Sequence, residues 1–247
     1  MKKICTIVAL SMVMAHAYGQ AVLPPNIRAT NTLEKLFDLD GLGMGDMLYG
    51  IPLPEGRLVG DTYLNSVWNK STLLLYEKEQ LLEGYPIRYD IYADELEVKA
   101  KNGIKVLKGN KVKSFVWIDS ATQKPGYFIN ARGFKNSDNV PATGFFEVLT
   151  EGNMPLLKKT FIDIKKADYN IQFNVGSHDD KIIKKNDFYA LKGTQLVEIP
   201  SSKKKLAAIF EEQDEVIEQF MKENNLSATK EAHLKILFDH YNSLLNN

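Results

Sequence analysis

Ser177-His178-Asp179-Asp180 is the densest run of reactive side chains in this sequence. An imidazole beside two carboxylates and a hydroxyl is the material of general-base hydrolysis. His178, Asp179 and Asp180 are therefore the catalytic candidates, and a hydrolase centred on them is one functional reading. The pattern lacks a Gly-x-Ser-x-Gly elbow, and residues adjacent in sequence seldom attain the mutual geometry of a proton relay. The plainer reading gives Ser177 or an aspartate a turn-capping role and leaves His178 on the surface.

Metal chemistry has less to work with. Beyond His16 the chain has His178, His233 and His240, with no His-x-x-x-His pair to set two imidazoles on one helical face. His233 and His240 would stand two helical turns, about 10 Å, apart, too far to share an ion. Asp38-Leu39-Asp40-Gly41 with Asp46 approaches a calcium loop, but the glycine comes two positions early and Tyr49 stands where the final glutamate belongs. Gly41, Gly43 and Gly45 fail as a dinucleotide fingerprint, because its next glycine would fall at Asp46. No metal and no cofactor is expected. Tyr85, Tyr89 and Trp117, with Tyr92 and Phe115, are the binding candidates, since rings on one sheet face stack on sugars and flat ligands. Aromatics also serve as ordinary half-buried strand residues, and alternation sets Tyr89 and Tyr92 on opposite faces.

The elements that must carry these residues read as a β body followed by helices. From 62 to 200 apolar residues recur with a period of two, in Leu73 and Leu75, Ile87 to Ile91, Leu96 and Val98, Ile104 to Leu107, Val112 to Ile118, Phe145 to Glu151, Leu156 to Ile164, Ile182 to Ala190 and Gln195 to Ile199. Asn102-Gly103 predicts a two-residue type I′ hairpin. The joins are too short for parallel crossovers, so the strands form an antiparallel β-meander, a curved sheet or partial barrel. Ser120 to Gly144 and Asp168 to Asp180 read as surface loops. From 201 to 247 the period turns helical, predicting about three short amphipathic helices: Ser202 caps Leu206, Ile209 and Phe210; Asp214 caps Val216, Ile217, Phe220 and Met221; Thr229 caps Leu234 to Leu245. Asn225 suits a left-handed stop. The fold class is α+β, β-dominated, with the helical element packed on the sheet.

Before this body, residues 20–61 form an irregular arm rich in Gly and Pro, with one short helix possible over Asn31 to Phe37. Residues 1–19 read as a cleaved signal peptide: Lys2 and Lys3, an apolar run from Ile4 to Ala15, and small residues Ala15, Ala17 and Gly19. That run rises only about 18 Å as a helix, short of a bilayer core, so no transmembrane span is expected. Cleavage removes Cys5, the chain's one cysteine, leaving neither disulfides nor thiolate chemistry. The product is expected to be exported, periplasmic or extracellular, and soluble.

Charge balances at 31 basic against 31 acidic residues, which argues against a nucleic-acid partner. It is unevenly spread: 155 to 205 holds eleven lysines against six acids, and 206 to 247 three lysines against eight acids. Two solvated faces, partly docked on each other, account for this.

Tyr89-Asp90-Ile91-Tyr92 with Asp94-Glu95-Leu96, Gly144 to Leu149, and Ala167-Asp168-Tyr169-Asn170 running into Gly176 to Lys181 together resemble a group of exported bacterial proteins of about this size. The resemblance implies a β-rich body, a short helical tail and export, and it brings no catalytic residues. The expected function is a non-catalytic binding module of the cell envelope, its partner another envelope protein or a surface polymer. The alternatives are a small-molecule or lipid carrier with a barrel-like cavity, and the His178 hydrolase.

Overall fold

The computed structural model describes residues 57–170, 173 and 175–245. The signal segment, Cys5, the helix expected over Asn31 to Phe37, the Asp38 to Asp46 run and Gly41, Gly43 and Gly45 lie outside the described residues. The strands are β1 (Leu58–Val59), β2 (Asn69–Leu75), β3 (Leu81–Asp90), β4 (Glu95–Ala100), β5 (Gly103–Lys108), β6 (Val112–Ile118), β7 (Pro125–Asn130), β8 (Phe145–Thr150), β9 (Leu156–Lys165), β10 (Asp180–Lys192) and β11 (Gln195–Glu198). All join one sheet in the order β1-β10-β9-β8-β7-β6-β2-β3-β4-β5, with β11 also on β10. Among these strand pairs only β1 with β10 is parallel.

Two local expectations are corrected. Pro125 to Asn130, inside the supposed loop Ser120 to Gly144, is a strand. Its Pro and Gly suggest a loop, yet Pro125 is the strand's first residue, where a missing N–H is tolerated. Gly126 is there for space: a Cβ on it would stand 2.8 Å from Trp117 Nε1. The β4–β5 hairpin is not type I′. Ala100 pairs with Gly103, leaving Lys101 and Asn102 in the loop, and of the residues around the turn only Gly103 has positive φ, at 109°. A type I turn closed by a glycine after it fits that pattern, whereas type I′ needs positive φ at both loop residues.

The chain bends the sheet between β6 and β5. In strand order these two lie four spacings apart, about 19 Å in a flat sheet. They are joined only by the 3-10 turn Gly109–Lys111, and four residue steps span at most about 14 Å. The strands β6-β2-β3-β4-β5 must therefore curl. The inside of the curl is filled by Leu73, Ile87, Tyr89, Leu96, Val98, Val112, Phe115, Trp117, Phe128 and Phe145, with Leu107 of β5 against them. Phe115 stacks on Phe128 at 4.6 Å between ring centroids and meets Phe145 edge-on at 5.0 Å.

Past Pro200 the chain forms one C-terminal helical region: α1 (Lys203–Ala207), a 3-10 stretch Ala208–Gln213, α2 (Asp214–Glu223) and α3 (Glu231–Leu244). The first three run together and kink at Glu211, where φ is 51°. Asp214 is already inside α2, behind Gln213 at the cap position, and Lys230 rather than Thr229 precedes α3. Asn225 does take the left-handed conformation, with φ 49°. Leu206, Phe210, Ile217, Met221, Leu234, Leu237 and Phe238 bury themselves with Leu156 and Ala190 of the sheet. The opposite charges of the two segments meet in Lys158–Glu231 at 3.2 Å and Lys192–Glu211 at 2.5 Å.

Candidate functional site

The Ser177 to Asp180 run sits where the β9–β10 connection returns to β10, and its polar atoms are turned to different partners. Ser177 N–H donates to Asp168 Oδ1 at 2.8 Å, and Asp168 N–H donates to Ser177 O at 3.0 Å. The Ser177 and Lys165 donors hold the Asp168 carboxyl below its usual range. Ser177 Oγ donates to Asp179 O at 3.0 Å. Asp179 Oδ1 accepts from Arg57 N–H at 2.9 Å, while Asp180 Oδ1 accepts from Ala167 N–H at 2.7 Å. His178 is exposed, its ring 3.6 Å from that of Tyr169. The three catalytic candidates thus do not converge on one point; the aspartates close a loop against β1 and β9.

Of the binding candidates, Tyr89 and Trp117 are 3 % and 5 % exposed and belong to the core of the curl, whereas Tyr85 is 40 % exposed. The three do not form one open platform. His233 Nδ1 accepts from Ser227 N–H at 2.9 Å, and His240 stacks on Phe220 at 3.8 Å. Among the described residues no three His, Cys, Asp or Glu side chains gather as a metal set.

A polar junction that the sequence reading missed lies where the curl closes. Tyr89 Oη donates to Asp94 Oδ1 at 2.8 Å. Burial first, then the Asp94 carboxylate, push the Tyr89 phenol well above the tyrosine range, against the Phe145 N–H it accepts from. Asp94 O accepts from Gly109 N–H at 2.7 Å, and Asn130 Nδ2 donates to Gly109 O at 3.0 Å. Lys159 Nζ donates to Thr143 O. Desolvation lowers its pKa and Asp94 partly restores it. A Cβ on Gly144 would lie 2.6 Å from Lys159 Nζ and 3.1 Å from Tyr89 Oη. Phenol, carboxylate and ammonium thus converge on one glycine, and their bonds tie the ends of β3, β5, β7 and β8 to β9. Residues 89, 94, 109, 144 and 159 share no spacing. Tyr89 stood out in the sequence as a ring for binding and Tyr89, Asp94 and Gly144 as parts of the resemblance, but nothing in the sequence joins them to Gly109 and Lys159.

The other distinctive surface is the free edge at β5, which pairs only with β4 among the described strands. Ile104 and Val106 are 55 % and 59 % exposed, opposite Lys99 and Glu97 of β4. Glu97 is already taken, by Arg88 at 2.5 Å and by Tyr63 Oη at 2.8 Å, and the Arg88 guanidinium lies between the rings of Tyr63 and Trp68 at 4.2 and 4.3 Å. Further along the outer face, Val116 pairs with Tyr127, and both are exposed, as is Ile118.

No protein-family model, no curated protein and no solved structure matches this chain.

Proposed function

We propose that this is an exported, non-catalytic binding module of the cell envelope: a curved sheet or partial barrel, backed by the helical region, that engages another envelope protein or a surface polymer. The observation that carries this reading is the outward display of large apolar side chains, Ile104, Val106, Val116, Ile118 and Tyr127, on one sheet. Val116, Ile118 and Tyr127 adjoin one another on β6 and β7, and Ile104 and Val106 on β5, and exposed apolar clusters of this kind favour a macromolecular partner. The interior supports the same reading over a carrier, because the inside of the curl is occupied by the packed rings of Tyr89, Phe115, Trp117, Phe128 and Phe145. Export rests on the run of Lys2 and Lys3, the apolar Ile4 to Ala15 and the small residues Ala15, Ala17 and Gly19.

Photo-crosslinking from intact cells, with the reactive side chain placed at Val116 or Ile104, tests this. A reproducible adduct of one size is expected, competed by purified protein. Saturable turnover of an envelope substrate that is abolished by His178→Ala or Lys159→Met would overturn it.

A further inference from the structure

We infer that β5 is a docking edge that takes an acidic, extended segment of a partner protein as an added strand. This rests on the binding-module reading above and names its surface and partner.

The backbone comes first. Residues in an antiparallel ladder alternate between those bonded inward and those whose N–H and C=O face the other way. The bond from Gly109 N–H to Asp94 O sets the phase. With Leu96 opposite Leu107 and Val98 opposite Lys105, the N–H and C=O groups of Ile104, Val106 and Lys108 are sent to the open edge. An incoming strand of about six residues can pair there, and main-chain hydrogen bonds would supply affinity without reading sequence.

Charge then selects the occupant. The β4–β5 hairpin carries Lys99, Lys101, Lys105 and Lys108 against Glu95 and Glu97, and Glu97 is consumed by Arg88. None of the four lysines has an ion pair among the described residues. Lysine on an edge strand deters pairing with another copy, because like charges meet across the new ladder. The same four ammonium groups attract a strand bearing carboxylates. Alternation puts the exposed Ile104 and Val106 on the outer face and Lys105 on the other, so an occupant whose β-branched residues meet the apolar pair sets its alternating acids beside Lys105, with Lys101 and Lys108 at the two ends of the strand.

The test uses the full chain and a fluorescein-labelled seven-residue peptide of alternating Glu and Val, capped at both ends, followed by anisotropy at low salt. Saturable binding is expected, falling at least tenfold in Val106→Pro, which deletes an edge donor while leaving the β4 bonds intact. Val106→Thr, keeping that donor, should stay within about threefold. Lys105→Glu with Lys108→Glu should lose tenfold or more and prefer a Lys/Val peptide instead. Circular dichroism and the urea midpoint of each variant establish that it is folded. Equal binding of a peptide N-methylated at alternate residues would overturn strand addition, as would an unaffected Val106→Pro or no binding at 1 mM peptide. A cellular adduct from Val116 but none from Ile104 would sink the edge and leave the binding module standing.

Discussion

Replacing Asn242 with alanine should release the helical region from the sheet. Asn242 is 5 % exposed on α3 and spends its whole amide on the β8–β9 turn. Nδ2 donates to Glu151 O and to Met154 O, each at 3.1 Å, and Oδ1 accepts from Met154 N–H at 2.9 Å. Glu151 is exposed and its carbonyl can return to water, but Met154 is buried. Asn242→Ala therefore orphans one buried N–H and one buried C=O. At about 1–2 kcal/mol for each orphan, the loss should be about 3 kcal/mol. Asn242→Asp should cost more at neutral pH, since a carboxylate would face two carbonyl oxygens with no proton to give. Urea unfolding gives the free energies, and hydrogen exchange at the Met154 amide reports the local event. An Asn242→Ala protein within 0.5 kcal/mol of the parent, with Met154 still protected, would refute the idea that this amide pins the helices.

Three further tests probe the junction. Gly103→Ala meets only the backbone penalty of positive φ, about 1 kcal/mol, because nothing lies within 4 Å of its Cβ. Gly144→Ala, at φ 74°, must also displace Lys159 and Tyr89, and should cost at least about twice as much in the same urea titration. Tyr89→Phe should lose about 1–3 kcal/mol, by orphaning the Phe145 N–H and the Asp94 carboxylate, without enlarging the core. Lys159 sets a pH dependence. Its folded pKa lies below the unfolded value, so between the two the unfolded chain binds more protons and stability rises with pH. Urea midpoints of the parent minus those of Lys159→Met should climb toward pH 10; a flat or falling difference would contradict a desolvated ammonium.

Much of the strand pattern was legible because β residues bury one face. Val112 to Ile118 reads as one strand, and β6 runs over those residues, with Phe115 and Trp117 buried, Val116 and Ile118 exposed, and one irregularity against β2 between Leu74 and Leu75. Leu156 to Ile164 is bounded by Gly152-Asn153 upstream and falls within β9. What failed was chemistry that depends on a neighbour. Pro125-Gly126 resembles a turn until Trp117 is placed beside it. Asp214 and Thr229 are good capping residues, yet α2 and α3 start one residue away from where each would cap, and neither cap position carries a side-chain capping bond. Strand order was equally out of reach: periodicity places a strand's faces but does not say that β6 returns to β2 rather than lying beside β5.

That return connects the fold to the candidate sites. A chain that must cross from β5 to β6 in three residues has to curl its sheet, and a curled sheet brings strand ends together that a flat one would keep apart. Tyr89, Asp94, Gly109, Asn130 and Gly144 meet for that reason. The reactive groups that a sequence advertises locally, His178, Asp179 and Asp180, instead lie where the β9–β10 connection enters β10, and there the two carboxylates accept backbone N–H groups while His178 lies against the Tyr169 ring. Among the described residues the curl also leaves β5 paired with β4 alone, and Lys105 and Lys108 without an ion pair. One short connection thus determines both which polar groups are spent on holding the body together and which edge has a neighbour on one side only among the described strands.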